Sequence, residues 1–490
     1  MTIKYLILAI ASLCSMTLSS AQTADSSPVA QCDQLHSIVY AGGTTQPILR
    51  IKVKANASGQ AVKAMTISMK GTTNLTDVKK LEIYYSGTTP YFCTHTLVSS
   101  RLAIKTSLSA PVKVTPNMQF IGKATGQGQI LEPGDNYFWV VCDASDRARG
   151  SNKIDASCTE IQTLSDGKIT PSNASPVNSP KIYPYRYRIC PYYRSDFHMQ
   201  WNPGQLTAQH FGLITDFIYF SVSVDTNGNV TGTDNQNLIN GITKLKALRG
   251  NKLVNLIIGV TPNADTMSGV AADPTKRKKF ATQLVDFVKK NDLQGIDIDW
   301  EYPKNDTDWY NFALTLSDIR EAMAASGTSG VSLSIATAMY YKQASTEVLE
   351  QLDFINNMSY DARGEHSTMD LMQNDINTCK RLGVPDYKIV AGLPFYSCEI
   401  DQRNWDEQKS YAQIITWFPK INPTQNTFIA PTTKKRHYFN SVDLIGKKAK
   451  YVKDNKIGGV MIWSYDHDIS LNNPLSLARA LSRVLSPQKR

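Results

Sequence analysis

Two hydrophobic rhythms divide the chain. Between about residues 32 and 165, apolar and polar positions alternate over short runs. Ile51 and Val53 alternate with Lys52 and Lys54, and Leu81, Ile83 and Tyr85 alternate with their neighbours before Ser86-Gly87. Asn136 to Cys142 forms another such run, opened by Pro133-Gly134. Turn residues recur at short intervals and no sustained 3.6-residue period is present, so this region is predicted to be an all-β sandwich. Residues 22–31 are small and polar and are predicted to be disordered, and the Pro/Ser/Asn-rich segment 166–181 reads as a linker.

From residue 182 to 490 the rhythm changes. Apolar runs of strand length occur near 188–192, 214–222, 253–260, 294–300, 331–337, 353–360, 388–395 and 458–464. Amphipathic helices lie between several of them. Phe312, Leu316, Ile319 and Met323 fall on one helical face, as do Phe280, Leu284 and Phe287, and again Ile445, Ala449 and Val452. Eight β units with intervening helices predict an α/β fold, a (β/α)8 TIM barrel. A doubly wound sheet would open on a Gly-rich first turn, and none is found. The expected architecture is therefore multidomain, an N-terminal all-β sandwich followed by the barrel.

Composition adds limits. The 490 residues are 42% hydrophobic and 19% charged, an ordinary globular balance. The formal net charge of +10 is spread over both regions rather than gathered into a patch. It reads as solubility, so no nucleic-acid partner is expected. Residues 1–21 read as a signal peptide: Lys4, an apolar run from Tyr5 to Leu18, then Ser19-Ser20-Ala21 before Gln22. Leu13 before Cys14 is too bulky for lipoprotein processing, so ordinary cleavage is expected. The mature chain is expected in the periplasm, at the cell surface or secreted, with no membrane span. Seven cysteines then remain, an odd number, with no Cys-x-x-Cys pair to suggest zinc. Cys142 and Cys158 flank a loop and could pair.

The segment Gln294-Gly-Ile-Asp-Ile-Asp-Trp-Glu-Tyr-Pro303 carries the chemistry. Side chains alternate along a strand, so Asp297, Asp299 and Glu301 point to one side. In a barrel they form a column rising toward the C-terminal mouth. Burying carboxylates in a row raises their pKa values through desolvation and mutual repulsion. That suits the last of them, Glu301, to donate a proton near neutral pH. Alternating acids can also ligate a divalent metal, but no histidine lies nearby, and neither metal nor cofactor is expected.

This segment resembles the DxxDxDxE signature of glycoside hydrolase family 18, with an ending similar to its chitinase branch. Further likenesses follow in order: Met358-Ser-Tyr-Asp361, Gly392-Leu-Pro-Phe-Tyr396, and Gly458-Gly-Val-Met-Ile-Trp463 with Asp466 and Asp468. The resemblance implies a (β/α)8 glycoside hydrolase that cleaves β-1,4-linked N-acetylglucosamine with retention, by substrate-assisted catalysis. It implies Glu301 as general acid/base and Asp299 as the residue that orients the 2-acetamido group. Asp297 would share a proton with Asp299, and Tyr360 would donate to the acetamido oxygen. Asp361, Trp463, Met358 and Tyr396 would line the sugar site, with Trp463 as its floor. Two positions depart from the pattern. Gln294 replaces the first acid and is expected to shorten the column, its amide hydrogen-bonding Asp297. In the third strand, Leu256-Ile-Ile-Gly-Val260 keeps only Gly259.

The N-terminal region resembles the β-sandwich domain ahead of some bacterial sialidases, through Gly71-Thr-Thr, Tyr84-Tyr-Ser-Gly87, Leu131 to Trp139 and Asp155-Ala156. This implies glycan binding or spacing, while Trp139 within a strand reads as core. Trp201, Trp309, Trp405 and Trp417 are sugar platforms or packing residues, with Trp405 placed at the cleft. The short interval between Tyr396 and Gly458 leaves little room for an α+β insertion and favours a shallow cleft. The expected partner is a GlcNAc-containing glycan and the expected state a monomer. Two alternatives stand beside the chitinase reading: an endo-β-N-acetylglucosaminidase cutting the chitobiose core of N-glycans, and a non-catalytic, lectin-like barrel.

Overall fold

A computed structural model describes residues 28–489 apart from 37, 93, 95–105, 108–116, 122–127, 166, 195–205, 329–330 and 403–406. The signal-peptide reading, Trp201 and Trp405 lie outside the described residues. The N-terminal unit consists of two antiparallel sheets. One orders Val29–Asp33, Gln46–Ala55, Gly134–Ala144, Val78–Tyr85 and Thr106–Ser107. The other orders Lys168–Ile169, Ser157–Thr163, Ala61–Ser68 and Asn117–Ile121, with Gln129–Ile130 also on Ala61–Ser68. The alternating residues of the sequence meet between them. Ile51, Val53, Leu81, Ile83, Phe138 and Val140 from one sheet pack on Ile67 and Ile161 from the other. Trp139 points to the opposite face, packs with Leu35 and Phe92, and donates from Nε1 to Ser86 Oγ at 2.9 Å. It is a core residue.

Three expectations for this unit change. Val29–Asp33 is an edge strand, not a disordered tail, paired antiparallel with Arg50 to Lys54. Its polar composition hid it, because the order comes from the partner strand. Residues 167–181 are tied at several points rather than free of both units: Lys168–Ile169 pairs with Ser157–Thr163, Asn178 donates to the carbonyls of Met323 and Ala324 at 3.4 and 3.3 Å, and Lys181–Ile182 pairs with Ile38–Val39. Cys142 and Cys158 are both free thiols, and the Cys158 thiol hydrogen-bonds with Cys32 instead.

The second unit is a closed barrel of eight parallel strands: Arg188–Arg194, Asp216–Val224, Asn255–Val260, Gly295–Ile298, Ser332–Thr337, Phe354–Asn357, Ile389–Pro394 and Gly459–Trp463. Each pairs with the next, and the first pairs with both the second and the eighth, which closes the ring. The expected helical faces are the buried ones of Pro274–Lys290, Asp306–Ser326 and Val442–Asp454. Each helix is capped by a side chain that accepts from its first turn, Asp273, Asn305 and Ser441 in turn. After the seventh strand the chain holds more than expected. A four-stranded antiparallel sheet of Tyr396–Glu399, Lys409–Ser410, Thr427–Ile429 and Arg436–Tyr438 stands there with the helix Tyr411–Trp417. Among the described residues no helix is long and apolar enough to cross a membrane.

The N-terminal unit is seated on the barrel end where the strands begin. Tyr40 donates to the Asp353 carbonyl just before the sixth strand at 2.8 Å, and its ring packs on Tyr387 just before the seventh. Arg50 pairs with Glu321 at 2.9 Å and with Asp33 at 3.0 Å. The carboxyl ends of the strands, where barrel enzymes place their chemistry, are left open.

Candidate active site

The acid column forms as strand alternation requires. Asp297 is fully buried in the fourth strand, Asp299 follows it, and Glu301 stands at the rim. Asp297 accepts from Tyr192 Oη at 2.5 Å, Ser334 Oγ at 2.5 Å and Asn356 Nδ2 at 2.9 Å. Burial pushes its pKa up, and these three donors pull against that push. Both carboxylate oxygens of Asp297 are thereby engaged by neutral donors.

Asp299 is buried, and its Oδ1 has no hydrogen-bond partner among the described residues. Its pKa is raised well above the usual range, first by burial, then by the charges of Glu301 and Asp297. It shares a hydrogen bond with Glu301. The Glu301 carboxyl is also raised, first by burial among the cleft walls and further by Asp361, while its bonds to Asp299 and Tyr302 act in the opposite sense. Its side chain opens onto the cleft, so solvent tempers the push. The pair is thus built to hold a proton above the pH at which ordinary carboxyl groups lose theirs.

The column opens into a cleft of about 600 Å³, lined by Asp299, Glu301, Tyr302, Met358, Tyr360 and Trp463 among others. Tyr360 is buried and its hydroxyl pKa lies far above its ordinary value, first through burial and then through the charge of Asp361. It stays a proton donor, and among the described residues its hydroxyl has the Met461 sulfur at 3.7 Å as a weak acceptor. Trp463 is held by Tyr192 and Phe220, ring centroids 5.5 and 5.2 Å away. Gly259 makes room for this stack, since a Cβ there would lie 2.5 Å from the Phe220 ring. The third-strand departure therefore keeps the one residue its geometry needs. Asp361 takes a left-handed backbone, φ 66°, and accepts from Tyr396 Oη at 2.7 Å.

The structure brings together all eight residues singled out for the site. Gln294 does not behave as expected. Its Oε1 accepts from Arg249 at 2.8 Å and from the Leu256 amide at 3.1 Å, and its Nε2 donates to the Asp292 carbonyl. It precedes the strand and ties the lower end of the barrel, so it neither touches Asp297 nor shortens the column. Trp309 and Trp417 pack into the barrel's hydrophobic core. The sequence reading missed Tyr192, Ser334 and Asn356, which hold Asp297, and Tyr302, Tyr340, Tyr341, Arg194 and Gln408 on the cleft wall. The first three carried a signal: polar side chains inside otherwise apolar barrel strands.

A buried acid column under a sugar-sized cleft at the carboxyl end of a barrel is the layout of a glycoside hydrolase. The family model for glycosyl hydrolases family 18 matches residues 188–468, and the chain belongs to that family. A second family model, the N-terminal domain of BNR-repeat neuraminidase, matches residues 35–167. Among curated relatives, chitinase A1 of Niallia circulans is 27% identical over 311 residues, 48% of this chain and 44% of the relative. Chitinase 1 of Aphanocladium album is 29% identical over 285 residues, 48% of this chain and 66% of the relative. The chain thus spans only part of the length of these relatives. A chitinase structure from Bacteroides thetaiotaomicron superposes with a TM-score of 0.54 at 21% identity, covering 61% of this chain and 96% of that one. A class V chitinase from Nicotiana tobaccum, solved in complex with NAG4, gives a TM-score of 0.52 at 19% identity, covering 61% and 99%.

Proposed function

We propose that this protein is a retaining, chitinase-type hydrolase of β-1,4-linked N-acetylglucosamine oligomers or polymers, acting outside the cytoplasm. The observation that carries the reading is Asp299 Oδ1, a buried acceptor without a partner among the described residues, beside a protonatable Glu301 and a Tyr360 donor. An unpaired acceptor in such a place costs about 1–3 kcal/mol, and an acetamido N–H would relieve it. The names of the relatives point the same way.

In this reading Glu301 protonates the glycosidic oxygen as the bond to the anomeric carbon breaks. Asp299 accepts from the substrate's acetamido N–H and Tyr360 donates to its carbonyl oxygen, and that oxygen attacks the anomeric carbon from the opposite face and forms an oxazolinium ring. The nucleophile arrives already positioned, which supplies much of the rate advantage of an intramolecular reaction. The negative column beside the ring offsets its positive charge. Glu301, now ionised, takes a proton from water. The water oxygen bonds to the anomeric carbon, the ring opens, and the β configuration is restored.

Chitopentaose should therefore yield shorter chito-oligomers by mass spectrometry, with the β anomer first in proton NMR. An α anomer would refute substrate assistance. If an N-glycosylated protein is cut instead, leaving one GlcNAc on the asparagine, the substrate assignment moves to the chitobiose core. Neither product, with sugar binding retained, would indicate a lectin-like barrel.

The raised carboxyl pKa values also fix a sign. Turnover needs the proton on the Asp299–Glu301 pair and falls as pH rises through its raised pKa. The basic limb of kcat/KM should lie above the ordinary glutamate value of about 4.3. A limb at or below that value would show that the pair is not the acid.

A further inference from the structure

His366 and Cys398 stand against the cleft wall beside Asp361, and the hydrolytic reading uses neither. Asp361 follows the sixth barrel strand. A tight turn then brings the chain back: the Ala362 amide donates to the His366 carbonyl at 3.2 Å, and Gly364 takes a positive φ of 75°. Cys398 arrives separately, in the strand Tyr396–Glu399. The ligand atoms of the three side chains lie within 4.8 Å of one another. Asp361 Oδ1 is 3.5 Å from Cys398 Sγ and 3.7 Å from His366 Nδ1.

Those separations suit one ion. With Zn–S near 2.3 Å and Zn–N or Zn–O near 2.0 Å, the edges of a tetrahedron are about 3.3–3.6 Å. Two edges already stand at about that length. Thiolate, imidazole and carboxylate together favour zinc over calcium or magnesium, which take oxygen ligands alone. His366 and Cys398 are buried, whereas Asp361 is partly open to the cleft, which gives an ion a way in. Tyr396 Oη on Asp361 is the kind of outer partner that orients a ligating carboxylate.

We propose that Asp361, His366 and Cys398 form a zinc-binding site in the cleft wall, and that zinc bound there competes with the glycan. The competition rests on the reading of Asp361 as a glycan contact; the site itself does not. Binding is a ligand exchange without redox change. The Cys398 thiol, which now hydrogen-bonds to Asp361, loses its proton to solvent as the metal–sulfur bond forms.

The test uses the full chain and cobalt(II) as a spectroscopic substitute for zinc. One equivalent should produce a thiolate-to-cobalt charge-transfer band, displaced by one equivalent of zinc. Cys398→Ser should lose the band, and Cys32→Ser should keep it. His366→Gln should weaken zinc binding by at least about tenfold, scaled on the 10–100-fold lost when even an outer partner is removed. It is the second variant should Cys398→Ser not fold. No band in the folded wild type, or a band retained in folded Cys398→Ser, overturns the site. A band without any zinc-dependent rise in the apparent Kd for chitotetraose overturns the competition and leaves the site standing. The band does not depend on hydrolysis, so its result stays separate from any failure of the chitinase reading.

Discussion

Replacing Glu301 with glutamine is expected to lower kcat on chitopentaose by roughly 10²–10⁴-fold, the usual contribution of a positioned general acid. Oligosaccharide affinity should stay within a few-fold of wild type. The amide has nearly the carboxyl's shape, so the cleft wall is preserved while the transferable proton is lost. Affinity is spared for a second reason. Glu301's charge is the first of the two charges that raise Asp299, and its removal lets Asp299 ionise more readily and accept an acetamido N–H. Single-turnover kinetics and titration calorimetry on the same preparation separate the two effects. Unchanged turnover would remove Glu301 from the reaction. Loss of binding together with turnover would make it a recognition residue instead.

Strand alternation made the column legible: a period of two puts Asp297, Asp299 and Glu301 on one face whatever surrounds them. Gln294 is expected in the column from its position in the family signature, not from alternation, and the structure puts it elsewhere. Three positions from Asp297, and before the strand begins, it belongs to the other face and the other end of the barrel. The neutral donors around Asp297 come from three further strands, at Tyr192, Ser334 and Asn356. Their convergence exists only once the ring has closed. Two adjacent asparagines in the buried strand Phe354–Asn357 were the sign available beforehand, because a buried amide needs partners. His366 and Cys398 offered less. A turn and a short antiparallel sheet deliver them to Asp361, and no fixed spacing encodes that meeting. The edge strand Val29–Asp33 was hidden for a related reason, since its order is supplied by Gln46–Ala55.

The largest effect on stability is expected at the closed end of the barrel, where Asp216→Ala should lower the free energy of unfolding by about 3–5 kcal/mol. Arg188 Nη1 and Asp216 Oδ1 are 2.6 Å apart and both side chains are buried. Asp216 also accepts from Tyr183 Oη at 2.6 Å, Thr215 Oγ1 at 2.8 Å and Asn255 Nδ2 at 2.8 Å. The Arg188 guanidinium lies 3.9 Å from the ring centroids of both Tyr183 and Phe354, and its Nη2 reaches Tyr40 Oη at 2.9 Å. Truncating Asp216 leaves that cation buried without its counter-charge and strands the other donors as well. Tyr40 belongs to the N-terminal unit and Phe354 to the sixth barrel strand, so the loss acts on the docking of the two units as well as on the barrel floor. Removing both charges is the informative control. Arg188→Met with Asp216→Leu should recover the part of the loss due to the unpaired cation, while the Tyr183, Thr215 and Asn255 donors stay without their acceptor and keep the double variant below wild type. Guanidinium unfolding curves of the two single variants and the double variant measure this directly. A single variant within about 0.5 kcal/mol of wild type, the usual range for surface substitutions, would show that the pair does not hold the floor. The cleft opens at the other end of the barrel, so kcat of the folded Asp216→Ala protein should stay near wild type, which separates loss of fold from loss of chemistry.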